Sequence, residues 1–377
     1  MKISTTRLTA FWRTNSATKL IAVGVGLIVV IAGSVLIFAK ASGFFASAEP
    51  ERGTLAGNAK VVADSGASGG QAVQFTAPSG GGGSGGCATT GSYVPDGPDP
   101  WGGCWPGPSS TGVSTGTTLT KPGVNSDGNY VVTTPNAVVS GIDLTGVSGE
   151  GGVLVQATGV TIKNSKVRFV DVDFAAPNAD GGAHPTVIQD TEINCDQVHT
   201  GISTAVYYGN YTLQRVHVHD CENGLDMSAG HVQVYNSYWH HLYMCPDPAC
   251  PEPGSPHTGV VQGDPGANST MTHNWMEAIN LSDCVPLTNY DDGHCNASGV
   301  IGWNNLGGGS NNVLIKQNML KGGGSSIRCP SLASTNFVVT DNRVYAAYNS
   351  TGLSDDCAAY DAHDNRDAGT GAVVTLF

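Results

Sequence analysis

The stretch "GVTIKNSKV" at residues 159–167 decides the fold. It runs aliphatic, polar, Asn, two polar residues, aliphatic. Close variants return as "PTVIQDTEI" at 185–193, "VLIKQNML" at 313–320 and "FVVTDNRV" at 337–344. One residue of each phrase serves as a marker: Val139, Ile162, Ile188, Leu213, Val234, Met271, Ile315 and Val339. Successive markers lie 23, 26, 25, 21, 37, 44 and 24 residues apart. A near-constant period of this length signals a stacked repeat. Alternating apolar and polar residues make each repeat a set of short strands. The two long gaps hold Cys/Pro/Gly-rich stretches, at about 242–267 and 279–311, which read as insertions into single coils.

Stacking coils of this length pairs each strand with its equivalents above and below, and lines the recurring aliphatic residues into ladders down one core. The recurring Asn or Asp (Asn164, Asp190, Asn236, Asn318, Asp341) is expected where the chain bends. Its short side chain bonds local backbone and tolerates left-handed conformations. A second ladder is expected from "HTGI" at 199–202 and "HTGV" at 257–260, which precede Leu213 and Met271 by the same distance. "NGL" at 223–225 and "SSI" at 325–327 fill the equivalent place. This alignment puts His199, Glu222 and His257 in one outward row. About eight coils fit between Pro122 and Tyr348.

Composition agrees with an all-β chain: Gly is frequent, at 52 residues, and only 12% of residues are charged. The net charge is −13, yet the first 40 residues hold Lys2, Arg7, Arg13, Lys19 and Lys40 and no acid. The remainder is thus acidic and unsuited to binding nucleic acid through phosphates. Leu20 to Ala39 carries no charge and is long enough to cross a bilayer, with its basic flank on the cytoplasmic side. "ASA" at 46–48 has the form of a signal-peptidase site. A retained anchor and a cleaved signal both remain open, and both put the later residues outside the cytoplasm.

The expected organisation has four parts. Residues 1–47 form a cytoplasmic stub with anchor or signal. Residues 48–86 form a stalk that ends in the flexible linker "PSGGGGSGG". Within this stalk, "ASGGQAVQF" resembles a strand motif of carbohydrate-binding β-sandwiches, but the segment is too short for such a module and reads rather as a stalk with a stray hairpin. Residues 87–121 form a cap closed by Cys87–Cys104, and 122–377 form the coils.

"VTIKNSKV", "VLIKQNML" and "PHTGVVQGDPGANSTMTHNWM" resemble the repeats of right-handed parallel β-helix proteins of the pectin-lyase-like superfamily, over roughly residues 110–350. The resemblance implies a right-handed parallel β-helix. Its members mostly cleave, epimerise or bind polysaccharide, and others are tailspikes or adhesins, so fold alone does not choose. Polygalacturonase and pectate lyase motifs do not carry over: "DDGH" at 291–294, "SDDC" at 354–357 and "YWHHL" at 238–242 match only fragments.

All ten cysteines follow Gly86, an even count that reads as disulfides in an oxidising compartment. Cys195 and Cys221 lie one coil apart after their markers and should meet. Cys245–Cys250 and Cys284–Cys295 would close the two insertions, and Cys329–Cys357 would pin the last coil.

The candidate catalytic residues are His199, His257, Asp226 and Arg328, the Arg to hold a sugar carboxylate. Paired carboxylates would run glycoside hydrolysis, whereas a base beside a Ca²⁺ would run β-elimination. No motif fixes a cofactor; Ca²⁺ on Asp264, Asp283 and Asp292 is the candidate, and Asp291 and His294 lie in the same insertion. Trp239, Tyr243, Trp275 and Trp303 are candidate sugar-stacking residues. His217, His219, His240, His241 and His273 read as ordinary strand residues. Three functions are open: a polysaccharide lyase or hydrolase, a non-catalytic adhesin or glycan binder, and an envelope structural element.

Overall fold

In the computed structural model, the described residues are 86–172, 182–196, 204–243, 259–263, 266–278, 299–303, 309–323, 325–345 and 355–374, plus the backbone of 59–63 and 71–75. Residues 59–63 and 71–75 form an antiparallel hairpin, in register from Ala59↔Phe75 to Ala63↔Gln71. It belongs to a unit of its own, Met1–Pro78, separate from Ser79–Phe377.

Among the described residues, the second unit consists of three all-parallel sheets with nine, eight and eight strands. The arrangement is consistent with a parallel β-helix. Sheet I carries the markers. Its ladder runs Val139, Ile162, Ile188, Leu213, Val234, Met271, Ile315 and Val339, and ends on Ala362. All eight expected markers are therefore level with one another. Sheet II follows about five residues later in each coil, with Val167, Ile193, Val218, Trp239, Met276, Leu320 and Val344 level and buried. Sheet III holds Val153, Val170, Val206, Leu225, Val261, Ile301 and Ile327.

The second expected ladder exists as sheet III, but its register differs from the expectation. Asn223 is level with both Thr204 and Gly259. Gly259 of "HTGV" is thus level with Thr204 and not with Gly201 of "HTGI". The two His-Thr-Gly phrases are not equivalent positions, because the coil of Leu213 is shorter between sheets III and I than the coil of Met271.

The corner between sheets I and II shows why Asn and Asp recur. The residue two after each marker, and after Ala362, has positive φ: Gly141 (70°), Asn164 (48°), Asp190 (48°), Arg215 (54°), Asn236 (50°), His273 (55°), Gln317 (57°), Asp341 (57°) and Asp364 (56°). Asn and Asp suit this bend because they accept the left-handed region more readily than most residues. Asn318 does not hold that position; Gln317 does. Asn318 is the next residue and turns inward, into a buried ladder with Asn274, Asn342 and Asn365. The Oδ1 of each accepts from the backbone N–H and the Nδ2 of the Asn below: Asn274 to Asn318 at 3.0 and 2.9 Å, Asn318 to Asn342 at 2.9 and 3.0 Å, Asn342 to Asn365 at 3.1 and 2.9 Å. Backbone groups freed by the bend are thereby satisfied inside the core, where an unpaired one would be costly.

Three of the expected disulfides are present: Cys87–Cys104, Cys195–Cys221 and Cys329–Cys357. The pairs Cys245–Cys250 and Cys284–Cys295 lie outside the described residues. No described cysteine is free. Three such bonds point to an oxidising, extracytoplasmic setting. Cys195–Cys221 closes a separation of 26 residues, which corresponds to about 3–4 kcal/mol of stabilisation through the unfolded chain. The Cys195→Ser/Cys221→Ser variant is expected to lose about that much in urea unfolding; an unchanged midpoint would remove this role. No helix among the described residues is long and apolar enough to cross a membrane, and Leu20–Ala39 lies outside them.

The Cys87–Cys104 segment lies along the side of the stack, on the outer face of sheet II. Trp105 is fully buried with Trp275, Met319, Tyr238 and Ala368, and its ring stacks on His273 (5.8 Å, 7°). Asp99 Oδ2 meets His273 Nε2 at 3.0 Å. Burial pushes the Asp99 carboxyl up, but His273 and the N–H groups of Gly103 and Trp101 outweigh it and hold it below the usual range.

Candidate functional site

Two outer faces carry chemistry. The first is sheet III, where every second residue points away from the core. Asp171 is level with Tyr207, Asp226 with Gln262, Gln262 with Gly302, and Gly302 with Arg328. Tyr207 is one residue beyond the Val206–Leu225 pair, which puts it beside Asp226. The outward row therefore reads Asp171, Tyr207, Asp226, Gln262, Gly302, Arg328. A Cβ added at Gly302 would meet nothing within 4 Å, so the row opens there between Gln262 and Arg328.

The chain order places long connections at both edges of this sheet. Residues 197–203, 244–258 and 279–298 each join a strand of sheet II to one of sheet III, and 173–181 and 304–308 each join sheet III to sheet I. The expected His199, His257, Asp283 and Asp292 fall in these connections, as do Asp291 and His294, and Asp264 directly follows the strand Gly259–Gly263; all lie outside the described residues.

Asp226 and Arg328 share one row but are three strand steps apart, about 14 Å at a spacing of about 4.8 Å. They do not touch one another. Burial raises the Asp226 carboxyl above its ordinary range, against hydrogen bonds from the Ser228 N–H (2.8 Å) and hydroxyl (3.2 Å). The Tyr211 hydroxyl donates to the Asp226 carbonyl at 2.6 Å and fixes the backbone beneath it. Gln262 Nε2 donates to Asn223 Oδ1 at 2.7 Å, which ties two coils together across the face. Arg328 is exposed.

Three of the four aromatic candidates take another place. Trp239 and Trp303 are buried in the main core, and Trp275 is buried under the Cys87–Cys104 segment. Trp239 is the sheet II residue that points inward, and Trp303 packs edge-on against Phe337 at 5.0 Å. Their rings fill space between coils and present no face to a ligand. Tyr243 stays half-buried near the surface, its N–H held by the Cys221 carbonyl at 2.8 Å.

The second face is the outer side of sheet II, where histidines read as ordinary strand residues come together. The signal is arithmetical. Residues four and six after a marker flank the inward residue of sheet II and so point outward. From Ile188, Leu213 and Val234 this gives Glu192 and Asn194, then His217 and His219, then Tyr238 and His240. Ring centroids lie 4.8 Å apart for His217 and His219, 5.0 Å for His217 and His240, and 5.4 Å for His219 and His240. His217 Nε2 meets His240 Nε2 at 2.8 Å, one ring donating and the other accepting. Asp220 binds His219 Nδ1 at 2.6 Å and His241 Nδ1 at 2.5 Å. Glu192 pairs with Lys166 at 2.8 Å and lies 3.7 Å from His219 Nε2.

These contacts split the imidazoles. Burial, and then the charge on His219, push His217 down to about 3 and His240 down to about 4. Burial also works against a charge on His219, but Asp220 and Glu192 outweigh it and raise this ring to about 9. The hydrogen bond to His219 brings Glu192 down to about 2 in spite of its burial. At neutral pH one imidazolium thus stands beside two neutral rings.

No protein-family model, curated protein or solved structure matches this chain.

Proposed function

We propose that this chain is an extracytoplasmic, right-handed parallel β-helix of the pectin-lyase-like kind that engages polysaccharide along the outer face of sheet III. The observation that carries the reading is the level outward row of Tyr207, Asp226, Gln262, Gly302 and Arg328 between two edges with long connections. Apart from the opening at Gly302, hydrogen-bonding side chains repeat there from coil to coil, at a spacing of about 4.8 Å. Long connections over a rigid stack are where such scaffolds carry binding residues. Arg328 suits a sugar carboxylate, because its planar fork matches two oxygens. Leu20–Ala39 would deliver the coils across the membrane, as an anchor or as a cleaved signal.

A second reading, hydrolysis, is favoured by the raised carboxyl of Asp226. A protonated carboxyl can act as the general acid, with the second carboxylate drawn from the connections. The 14 Å or so between Asp226 and Arg328 argues against these two acting on one bond.

The test is the full chain in detergent on a panel of neutral and uronic polysaccharides, with and without Ca²⁺. Retention on an acidic polysaccharide is expected, weakened about tenfold to a hundredfold in Arg328→Ala, as for loss of a charged hydrogen bond. Release of reducing ends that Asp226→Asn abolishes would establish hydrolysis. Ultraviolet absorbance from unsaturated sugars would instead mean elimination. No retention and no product on any sugar would remove the proposal.

A further inference from the structure

We infer that residues 87–111 form a releasable strap over the outer face of sheet II, and that the Cys87–Cys104 disulfide is a redox switch by which a dithiol reductant outside the cytoplasm opens it. The device does not depend on the polysaccharide reading.

Four observations carry the inference. The first is access. Cys104 is exposed and Cys87 half-buried. Cys195 is only 3% exposed, and Cys221, Cys329 and Cys357 are 0% exposed. Thiol–disulfide exchange needs a thiolate to reach one sulfur, so an exposed bond opens before a buried one. The second is attachment. The backbone hydrogen bonds of the strap stay within it, with the N–H groups of Asp96, Asp99 and Trp105 donating to the carbonyls of Trp105, Gly103 and Gly97. Among the described residues, the first backbone bond from this segment to the coils comes only after it, from the Gly112 N–H to the Arg215 carbonyl at 2.9 Å. The strap itself meets the coils through side chains: Asp99 on His273, Trp105 on His273 and Trp275, and the Trp101 ring 5.0 Å from the Arg343 guanidinium. The third is an unpaired group. The Trp105 indole N–H is buried without a hydrogen-bond partner, and water would satisfy it on release. The fourth is what lies beneath. Tyr238, Trp275 and Met319 are level with one another in successive coils, point away from the main core, and are buried in one cluster with Trp105.

The reductant balances the step. One of its thiolates attacks the exposed Cys104 sulfur, the Cys87–Cys104 bond breaks, and Cys87 leaves as a thiolate. The second thiol of the reductant then displaces Cys104. The reductant ends as a disulfide, and its two electrons and two protons end on Cys87 and Cys104 as thiols. Opening the bond returns to residues 88–103 the chain entropy that closure had removed. Side chains alone must then hold the strap on sheet II. Its release uncovers the row of Tyr238, Trp275 and Met319. Cys195–Cys221 and Cys329–Cys357 stay closed inside the stack, so the coils keep their register while the strap moves.

The full chain in detergent would be treated with rising concentrations of dithiothreitol at neutral pH, and the freed thiols alkylated and located by peptide mass. Cys87 and Cys104 are expected to open at about a tenfold lower concentration than Cys195–Cys221 and Cys329–Cys357. Brief hydroxyl-radical oxidation of the chain open only at Cys87 and Cys104 then reads the strap. Trp105, Trp275 and Met319 are expected to oxidise about tenfold faster than in the closed chain. Trp239 and Met276, which point into the main core, should oxidise at the same rate in both. Reoxidation should restore the protection. Cys87→Ser/Cys104→Ser is expected to show the fast oxidation without any reductant, with Met276 reporting that its stack is folded. Should that variant not fold, the wild-type chain alkylated at Cys87 and Cys104 serves in its place. Opening of all three bonds at one concentration would overturn the assignment, as would Trp275 and Met319 equally protected with the bond open and closed.

Discussion

Asn318→Ala is expected to destabilise the stack by about 2–4 kcal/mol, because it breaks the inner ladder at its middle. The side chain is fully buried. Its Oδ1 accepts from the Asn274 N–H at 3.0 Å and the Asn274 Nδ2 at 2.9 Å, and its Nδ2 donates to Asn342 Oδ1 and the Met271 carbonyl, each at 3.0 Å. Alanine leaves the Asn274 N–H and Nδ2 without their acceptor inside the core. Leucine fills the space but satisfies nothing, so Asn318→Leu is expected to be no better. Asn318→Asp keeps the acceptor towards Asn274 but turns a second acceptor on Asn342 Oδ1, and is expected to fall between wild type and alanine only under acid conditions, where the carboxyl can donate. Each coil of a stack contacts only its neighbours, so the loss should be local. Hydrogen exchange read by mass spectrometry is expected to show lost protection in the strands around Met271, Ile315 and Val339, with the strands around Val139 and Ile162 unaffected. Uniform loss over all coils would mean that the stack unfolds as one unit, and unchanged protection would mean that the ladder contributes nothing.

The period of the repeated phrase was enough to read sheet I residue by residue, because one aliphatic side chain per coil must point inward and tolerates little else. The bend two residues later was legible where Asn or Asp occupies it, as at Asn164 and Asp341. It was not legible at Arg215, His273 and Gln317, which adopt the same φ although the repeated phrase shows no Asn or Asp there. Sheet III was seen but misaligned, since its segments lack a fixed distance to the markers and "His-Thr-Gly" offered a false anchor. The tryptophans misled for a physical reason. Aromatic rings suit both a sugar face and a core, and only the alternation within the strand Tyr238–His240 tells which side Trp239 takes. The same alternation, carried from coil to coil, would have found the His217, His219 and His240 face. Asp226 and Arg328 directly follow "NGL" and "SSI" of the second expected ladder, and the markers Val234, Met271, Ile315 and Val339 already put three coil steps between them.

Trp239→Ala is expected to cost about 3–5 kcal/mol of stability, the range for removing a large aromatic side chain from a packed core. The ring lies fully buried between Val218 and Met276, its neighbours in the inward ladder of sheet II. It packs so closely on Gly224 that a Cβ there would lie 2.8 Å from its Cδ1 and Nε1, and 2.4 Å from the Val260 carbonyl. Gly224→Ala should therefore be destabilising as well, since neither the rigid ring nor the backbone has room to retreat. The Nε1 of Trp239 is buried with no hydrogen-bond partner. Trp239→Phe removes this unpaired donor while losing part of the ring, so the two effects oppose each other and the net change is expected within about 1–2 kcal/mol. That ordering separates a core ring from a groove ring. A ring that stacked on sugar would lose polysaccharide retention on truncation, with little change in unfolding midpoint. For Trp239→Ala the reverse is expected, a lowered midpoint in urea and unchanged retention per folded molecule. Tyr243→Ala supplies the contrast, because that side chain is only half-buried. Its truncation is expected to leave the midpoint within about 1 kcal/mol of wild type, as for most surface changes. If Trp239→Ala kept its stability and lost retention, the ring would belong to the binding face, and the inward ladder of sheet II would have to be redrawn.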